Sequence, residues 1–295
     1  MTGSPLINLG ELSKPATVLV EKISDAVGGV FKPYQIVRVA KAQAEAEKIQ
    51  AQAKIEVTDL QRRAMQRFLE EEGKRQANIE SITQKALPLL GPESSPDKMS
   101  DDWITNFFDK CRIVSDKEMQ QLWAEVLASE ANSPGAFSRR TVNLLQDLDK
   151  QDAELFTAIC AFGWRHSSYE NLLYPAIFNL RDSIYISKSL YFSTLTQLDV
   201  LGLIRYDSLG GIRLGGQSKQ ITVSYLGRSV QVTFPADGEN ELKLGYVVLT
   251  QAGQELARIC NPQKVDGFFQ YVIDYWKIQN PSAEFLPSPE DAPAI

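Results

Sequence analysis

Three observations predict a mainly α protein with a small α+β part. The run from Pro33 to Glu72 holds no further Pro and meets no Gly before Gly73, and strong helix formers make up almost all of it. From residue 100 to 162, four apolar patterns of helical period follow capping residues. Between residues 217 and 234 the pattern changes to period-two alternation, which a strand requires.

The first element is an arm, residues 1–32, opening with an apolar LINLGEL stretch. Ser13 is placed to cap a helix and Pro15 sits in its first turn. Ala16, Leu19, Val20, Ile23, Ala26, Val27, Val30 and Phe31 recur at three- and four-residue steps, opposite Thr17, Glu21, Ser24 and Asp25. Gly28-Gly29 ends the helix or hinges it, since each glycine costs about 1 kcal/mol in a helix interior. Two readings follow: the arm inserts into a membrane surface, or it packs on the helical domain or a neighbouring subunit. The candidate membrane-inserting or oligomer-contact residues are Leu19, Val20, Ile23, Val27, Gly28, Gly29, Val30 and Phe31.

Residues 33–90 form a long helical stalk. Its stripe of Ala42, Ala46, Ile49, Ala53, Val57, Leu60, Ala64 and Phe68 has a mean step near 3.7 residues. Alanine fills four of those eight positions, too little apolar area to hold a helix of about 60 Å unaided. The stalk therefore needs neighbours, within the chain or from other copies.

A GPESSPDKMSDD stretch breaks the pattern, so residues 91–100 read as a linker. Residues 101–166 read as a compact four-helix bundle, with caps at Ser100 or Asp101, at Ser115 with Glu118 as a capping box, at Ser138, and at Asp149 to Asp152. Residues 167–280 read as an α+β domain. It has a helix over Leu190 to Leu201 and a hairpin around Leu226-Gly227-Arg228. A strand then leads to Thr250, the cap of another helix, and a last helix is rich in aromatics. Residues 281–295 are a Pro-rich tail, expected to be mobile.

Net charge is −6, unevenly spread: residues 1–90 carry 13 Lys and Arg against 11 Asp and Glu, the remainder 18 against 26. An acidic body argues against nucleic acid as a partner. Cys111, Cys160 and Cys260 are too far apart in sequence for a metal-ligand spacing or a disulfide framework, and suit a reducing cytoplasm. There is no signal-peptide layout and no apolar run of about 18 residues.

Catalytic inventory is thin. His166, the one histidine, follows Trp164-Arg165 at an expected helix end, where it serves as a cap or lies at the surface. Gly210-Gly211 and Gly215-Gly216 lack the lysine of a phosphate loop and read as turn glycines. Glu70-Glu71-Glu72 reads as a solvated helix end, and Asp101-Asp102 as a helix start. No enzyme activity, metal or cofactor is expected.

The stretch WITNFFDKCRIVSDKEMQQLWAEVLASEANSPGAFSRRTVNLLQDLDKQDAELF resembles an uncharacterised bacterial family related to the abortive-infection Abi-alpha group, associated with phage defence. The matching features are Asp116, Leu122-Trp123-Ala124, the Asn132-Ser133-Pro134 turn and Asp152-Ala153-Glu154-Leu155-Phe156; LGELSKPATVLVEKISDAVGGVFKP also resembles that family's opening. The C-terminal order of helix, LGLI, hairpin, strand and LTQAGQELARI is similar to a winged-helix domain, although its helix YFSTLTQLDVLG has no Lys or Arg. With the absent catalytic groups, the resemblance implies a cytoplasmic defence protein. It would sense a phage protein as trigger, form a homo-oligomer, and disrupt the inner membrane through the arm. The alternative is a soluble, non-enzymatic regulatory module with a docking winged-helix-like domain.

Overall fold

The computed structural model describes residues 12–28, 58–169 and 172–287. The chain divides into two compact units, Met1–Gln146 and Asp147–Ile295. Among the described residues it is mainly helical, with a smaller β part that lies in the second unit.

In the first unit, helix α1 spans Lys14–Val27. Ser13 Oγ accepts from the Ala16 N–H at 3.4 Å, and Gly28 ends the helix in the left-handed region at φ 84°. Helix α2 spans Asp59–Ala86. Thr58 is an extended N-cap in a capping box with Gln61, so the helix expected to run unbroken through this position to Glu72 instead starts at Asp59. Gly73 does not interrupt α2, because the turns on both sides supply hydrogen bonds that outweigh its propensity cost.

Three more α-helices are described in this unit: α3 (Asp101–Cys111), α4 (Lys117–Asn132) and α5 (Arg139–Gln146). Asp116 caps α4, its carboxylate accepting from the Glu118 and Met119 N–H groups at 3.0 and 2.9 Å, where a Ser115 capping box was expected. The core is Trp103, Phe107, Phe108, Trp123, Val126 and Leu127, with the Trp103 ring stacked on Phe107 at 5.0 Å.

The expected linker, residues 91–100, is tied into this core. Asn132 Nδ2 donates to the Leu89 carbonyl at 3.1 Å, while its Oδ1 accepts from the Gly91 N–H at 2.9 Å and from the Ser94 hydroxyl. Ser95 N–H bonds to the Ala131 carbonyl at 3.0 Å, and Pro96 and Met99 are buried.

The second unit begins with α6 (Lys150–Cys160), capped by the reciprocal Asp149 and Asp152 pair. The expected fourth bundle helix thus belongs to this unit, and the division falls after Gln146. Strands β1 (Gly163–His166) and β2 (Tyr174–Pro175) follow, then α7 (Ser183–Ile186), α8 (Phe192–Val200) and β3 (Ile204–Tyr206). Next come β4 (Ile212–Gln217), β5 (Gln220–Tyr225), β6 (Arg228–Thr233), β7 (Asn240–Gly245) and β8 (Val247–Leu249). Helices α9 (Gln251–Ala257) and α10 (Phe268–Gln279) and strand β9 (Glu284–Pro287) close the unit.

One sheet has the order β2-β1-β5-β6-β9, and two further antiparallel pairs are β3-β8 and β4-β7. The β5-β6 hairpin turns at Leu226 and Gly227, both at positive φ, as its tight two-residue turn demands. Gly215-Gly216 lies in β4 beside a register shift and not in a turn. The tail expected to be mobile contributes β9, where Val232 is opposite Phe285. That pairing covers an edge β6 would otherwise expose. Gly245 is required by close approach: a Cβ there would lie 1.8 Å from the Ile177 carbonyl oxygen.

Candidate interaction surfaces

The arm residues Leu19 and Ile23 are 0% exposed, and Val20 is buried beside them. The alternation that suggested a membrane-facing stripe is satisfied inside the first unit, where α1 packs against α3 and the 3-10 turn Pro96–Lys98. Lys22 reaches Asp101 at 2.6 Å, fastening the polar side. In this structure the arm packs as a helix of the first unit, the second of its two readings. Val27 and Gly28 sit at its end; Gly29, Val30 and Phe31 lie outside the described residues.

Of the stalk residues, Ala42, Ala46, Ile49, Ala53 and Val57 also lie outside the described residues, while Leu60, Ala64 and Phe68 are on α2. The two ends of α2 differ. Ile82, Thr83 and Ala86 are buried against α4, whereas every residue from Thr58 to Glu71 is exposed. Leu60 is 69% exposed, Phe68 56%, and Met65 and Leu69 are also open. These apolar groups fall on one half of the helix. The same stretch carries a basic block, Arg62, Arg63 and Arg67, followed by an acidic block, Glu70, Glu71 and Glu72. Arg67 pairs with Glu71 at 3.4 Å, and Arg75 pairs with Glu72.

In the second unit, α8 buries Thr194, Leu195 and Leu198 and presents Phe192, 64% exposed, and Val200, 84% exposed, to solvent. Tyr191 is exposed beside them, and the Phe192 ring meets Tyr206 edge-on at 5.8 Å. Asp199 is the one charged side chain of α8.

His166 is not at a helix end. It lies in β1 opposite Val223, 2% exposed, with Nδ1 accepting from the Ser168 N–H at 3.0 Å. Burial holds its pKa below the ordinary imidazole value, against a smaller opposing contribution from Gln217. Among the described residues no group of three or more His, Cys, Asp or Glu side chains is placed to hold a metal ion, and no helix is long and apolar enough to cross a membrane.

Residues 62–273, more than two thirds of the chain, match the family described as "Protein of unknown function (DUF2806)". The chain belongs to that family. No curated protein and no solved structure matches it. The DUF2806 match begins just inside α2 and runs into α10, leaving α1 outside.

In this DUF2806 chain the motif residues read from the sequence hold the fold. Asp116 and Asp152 cap helices, Trp123 and Ala124 are core, and Asn132 ties down residues 89–94. A cleft of about 460 Å³ in the first unit is lined by Lys98, Trp103, Glu130, Phe137 and Arg139 among others. Its one buried acid is committed to the backbone: Glu130 Oε1 accepts from the Gly135 N–H at 2.7 Å and Oε2 from the Phe137 N–H at 2.8 Å. Trp103 Nε1–H donates to the Phe137 carbonyl at 2.8 Å, so these groups fix the turn after α4.

Two candidate sites escaped the sequence reading. One is the aromatic face at Tyr191 and Phe192, hidden because exposed and buried aromatics look alike in a sequence. The other is the meeting of Cys160 and Cys260, one hundred residues apart, which no spacing rule reaches. Cys260 Sγ lies 3.8 Å from Thr157 Oγ1, one turn before Cys160 on α6.

Proposed function

We propose that the chain is a non-enzymatic binding protein that self-associates through the first half of α2. The observation carrying this reading is the run from Thr58 to Glu71, exposed on every side and apolar along one half. A helix with an uncovered apolar half is stabilised by a partner that covers it. The partner that fits is a second copy. Three arginines followed by three glutamates are each other's complement, so two such helices set with basic block against acidic block attract, and neither sign dominates enough to select nucleic acid or a lipid surface.

The second unit is read as a winged-helix-like docking domain. Supporting this are the order α6, β2, α7, α8, β3, β8 and the β3-β8 pair, with β4 to β7 forming an enlarged wing between them. In that reading α8 is the recognition helix. Without Lys or Arg, and with Phe192 and Val200 outward, it suits protein better than DNA.

A place in phage defence remains a proposal resting on the Abi-alpha resemblance. Its membrane step asks α1 to withdraw Ala16, Leu19, Val20 and Ile23 from the core, at roughly 1.5–3 kcal/mol for each larger side chain. A trigger would have to supply that energy.

Light scattering across a concentration series tests the self-association. Wild type is expected above the monomer mass, and Leu60→Glu with Phe68→Glu at the monomer mass with a cooperative thermal transition retained, because neither side chain is core. A wild-type monomer at all concentrations up to roughly 100 µM, a low-affinity regime for a protein interface, would overturn the reading.

A further inference from the structure

We infer that Cys160 and Cys260 form a peroxide-responsive dithiol site in the second unit. Cys160 is the last residue of α6 and is buried; Cys260 is half-buried, just beyond α9. The Cys260 sulfur rests against the α6 face that carries Thr157, at 3.8 Å from its hydroxyl, and Cys160 follows Thr157 by three residues, one turn along the same face. The neighbouring Cys260 and burial push the Cys160 thiol up, with Arg165 acting the other way. Cys160 is therefore a slow first nucleophile, and the half-buried Cys260 is where oxidant enters.

The Cys260 thiolate attacks one peroxide oxygen, breaking the O–O bond; with its thiol proton taken up by the departing hydroxide, the products are a sulfenic acid and water. Cys160 sulfur then attacks the Cys260 sulfur, the S–O bond breaks, and hydroxide leaves with the Cys160 proton as a second water. The two thiols lose two electrons and the peroxide gains them. Placement of Cys260 beside the turn of α6 that carries Cys160 makes the second step intramolecular, offsetting the raised Cys160 pKa. The resulting disulfide staples the end of α6 to the loop after α9.

The test treats the native full chain with millimolar hydrogen peroxide, blocks remaining thiols with iodoacetamide, and reads intact mass and a non-reducing peptide map. Expected is a Cys160–Cys260 peptide, reversed by dithiothreitol, with Cys111 alkylated only after unfolding. Cys260→Ser should abolish the cross-link with its melting temperature retained, and Cys160→Ser should leave a Cys260 sulfenic acid that dimedone traps. Wild-type oxidation that stops at Cys260 without cross-linking, a cross-link involving Cys111, or thiols unchanged under conditions that oxidise glutathione would overturn the inference.

Discussion

Tyr225 shows how much one side chain carries at the residue scale. Its hydroxyl donates to the Ala161 carbonyl at 3.0 Å and accepts from the Val265 N–H at 2.9 Å, so a single buried atom joins the end of α6 to the approach to α10. Tyr225→Phe leaves both backbone groups unpaired without opening a cavity. It is expected to cost about 1–3 kcal/mol, measured as a lower urea midpoint with an unchanged m-value. His166 gives the pH dependence. Its folded pKa lies below the unfolded value of about 6.5, so between those two values the unfolded chain binds more protons. The His166 contribution is whole above about pH 6.5 and is lost as pH falls through that window. The urea midpoint is expected to drop between pH 7.5 and 5.5, and to drop less in His166→Gln. The histidine was legible only as a residue type. Its burial follows from β1 entering a sheet whose partner, β5, lies more than fifty residues away.

Helix α1 and the first half of α2 make opposite cases at the scale of elements. Both carry apolar residues at helical steps; the stalk's thin stripe is expected to need neighbours, while the arm's admits either a membrane surface or protein packing. Ser13, the apolar steps and Gly28 fixed α1 locally, but its stripe could not say whether lipid, a neighbour or its own unit would cover it. In the fold α3 covers it. Leu19→Glu with Ile23→Glu, which puts two carboxylates into a closed core, is therefore expected to destabilise the first unit by roughly 4 kcal/mol or more, seen as early thermal unfolding. The matched pair on α2, Leu60→Glu with Phe68→Glu, should leave that transition in place. Capping chemistry was the most legible feature, since Thr250, Asp149 and Ser13 act within three residues of themselves. The capping box at Ser115 failed by one residue because Asp116 offers an ionised acceptor to the same N–H groups. Thr58 was missed because the alanine-rich run around it has no apolar break to announce a helix start. Strand β9 was missed because a short Pro-bounded segment has no pattern until β6 offers it an edge.

For the whole molecule, net charge and the composition of α8 act together. At −6, with no Lys or Arg on α8, the chain is expected to give no fluorescence-anisotropy change with a labelled DNA duplex at roughly 10 µM protein and low salt; saturable, salt-sensitive binding would contradict a protein-docking role. The sequence by itself determined the class, mainly α with a β part near the end, because period and capping are local properties of the chain. It also determined most of the helices and the β5-β6 hairpin, whose turn residues lie between the strands they join. Only the tertiary structure decided that the division falls after Gln146, that the 91–100 stretch is pinned by Asn132, and that Cys160 meets Cys260. It alone separated the buried stripe of α1 from the uncovered half of α2. The reason is that an apolar face states a demand for burial, while what meets the demand depends on chain segments distant in sequence and brought close only by folding.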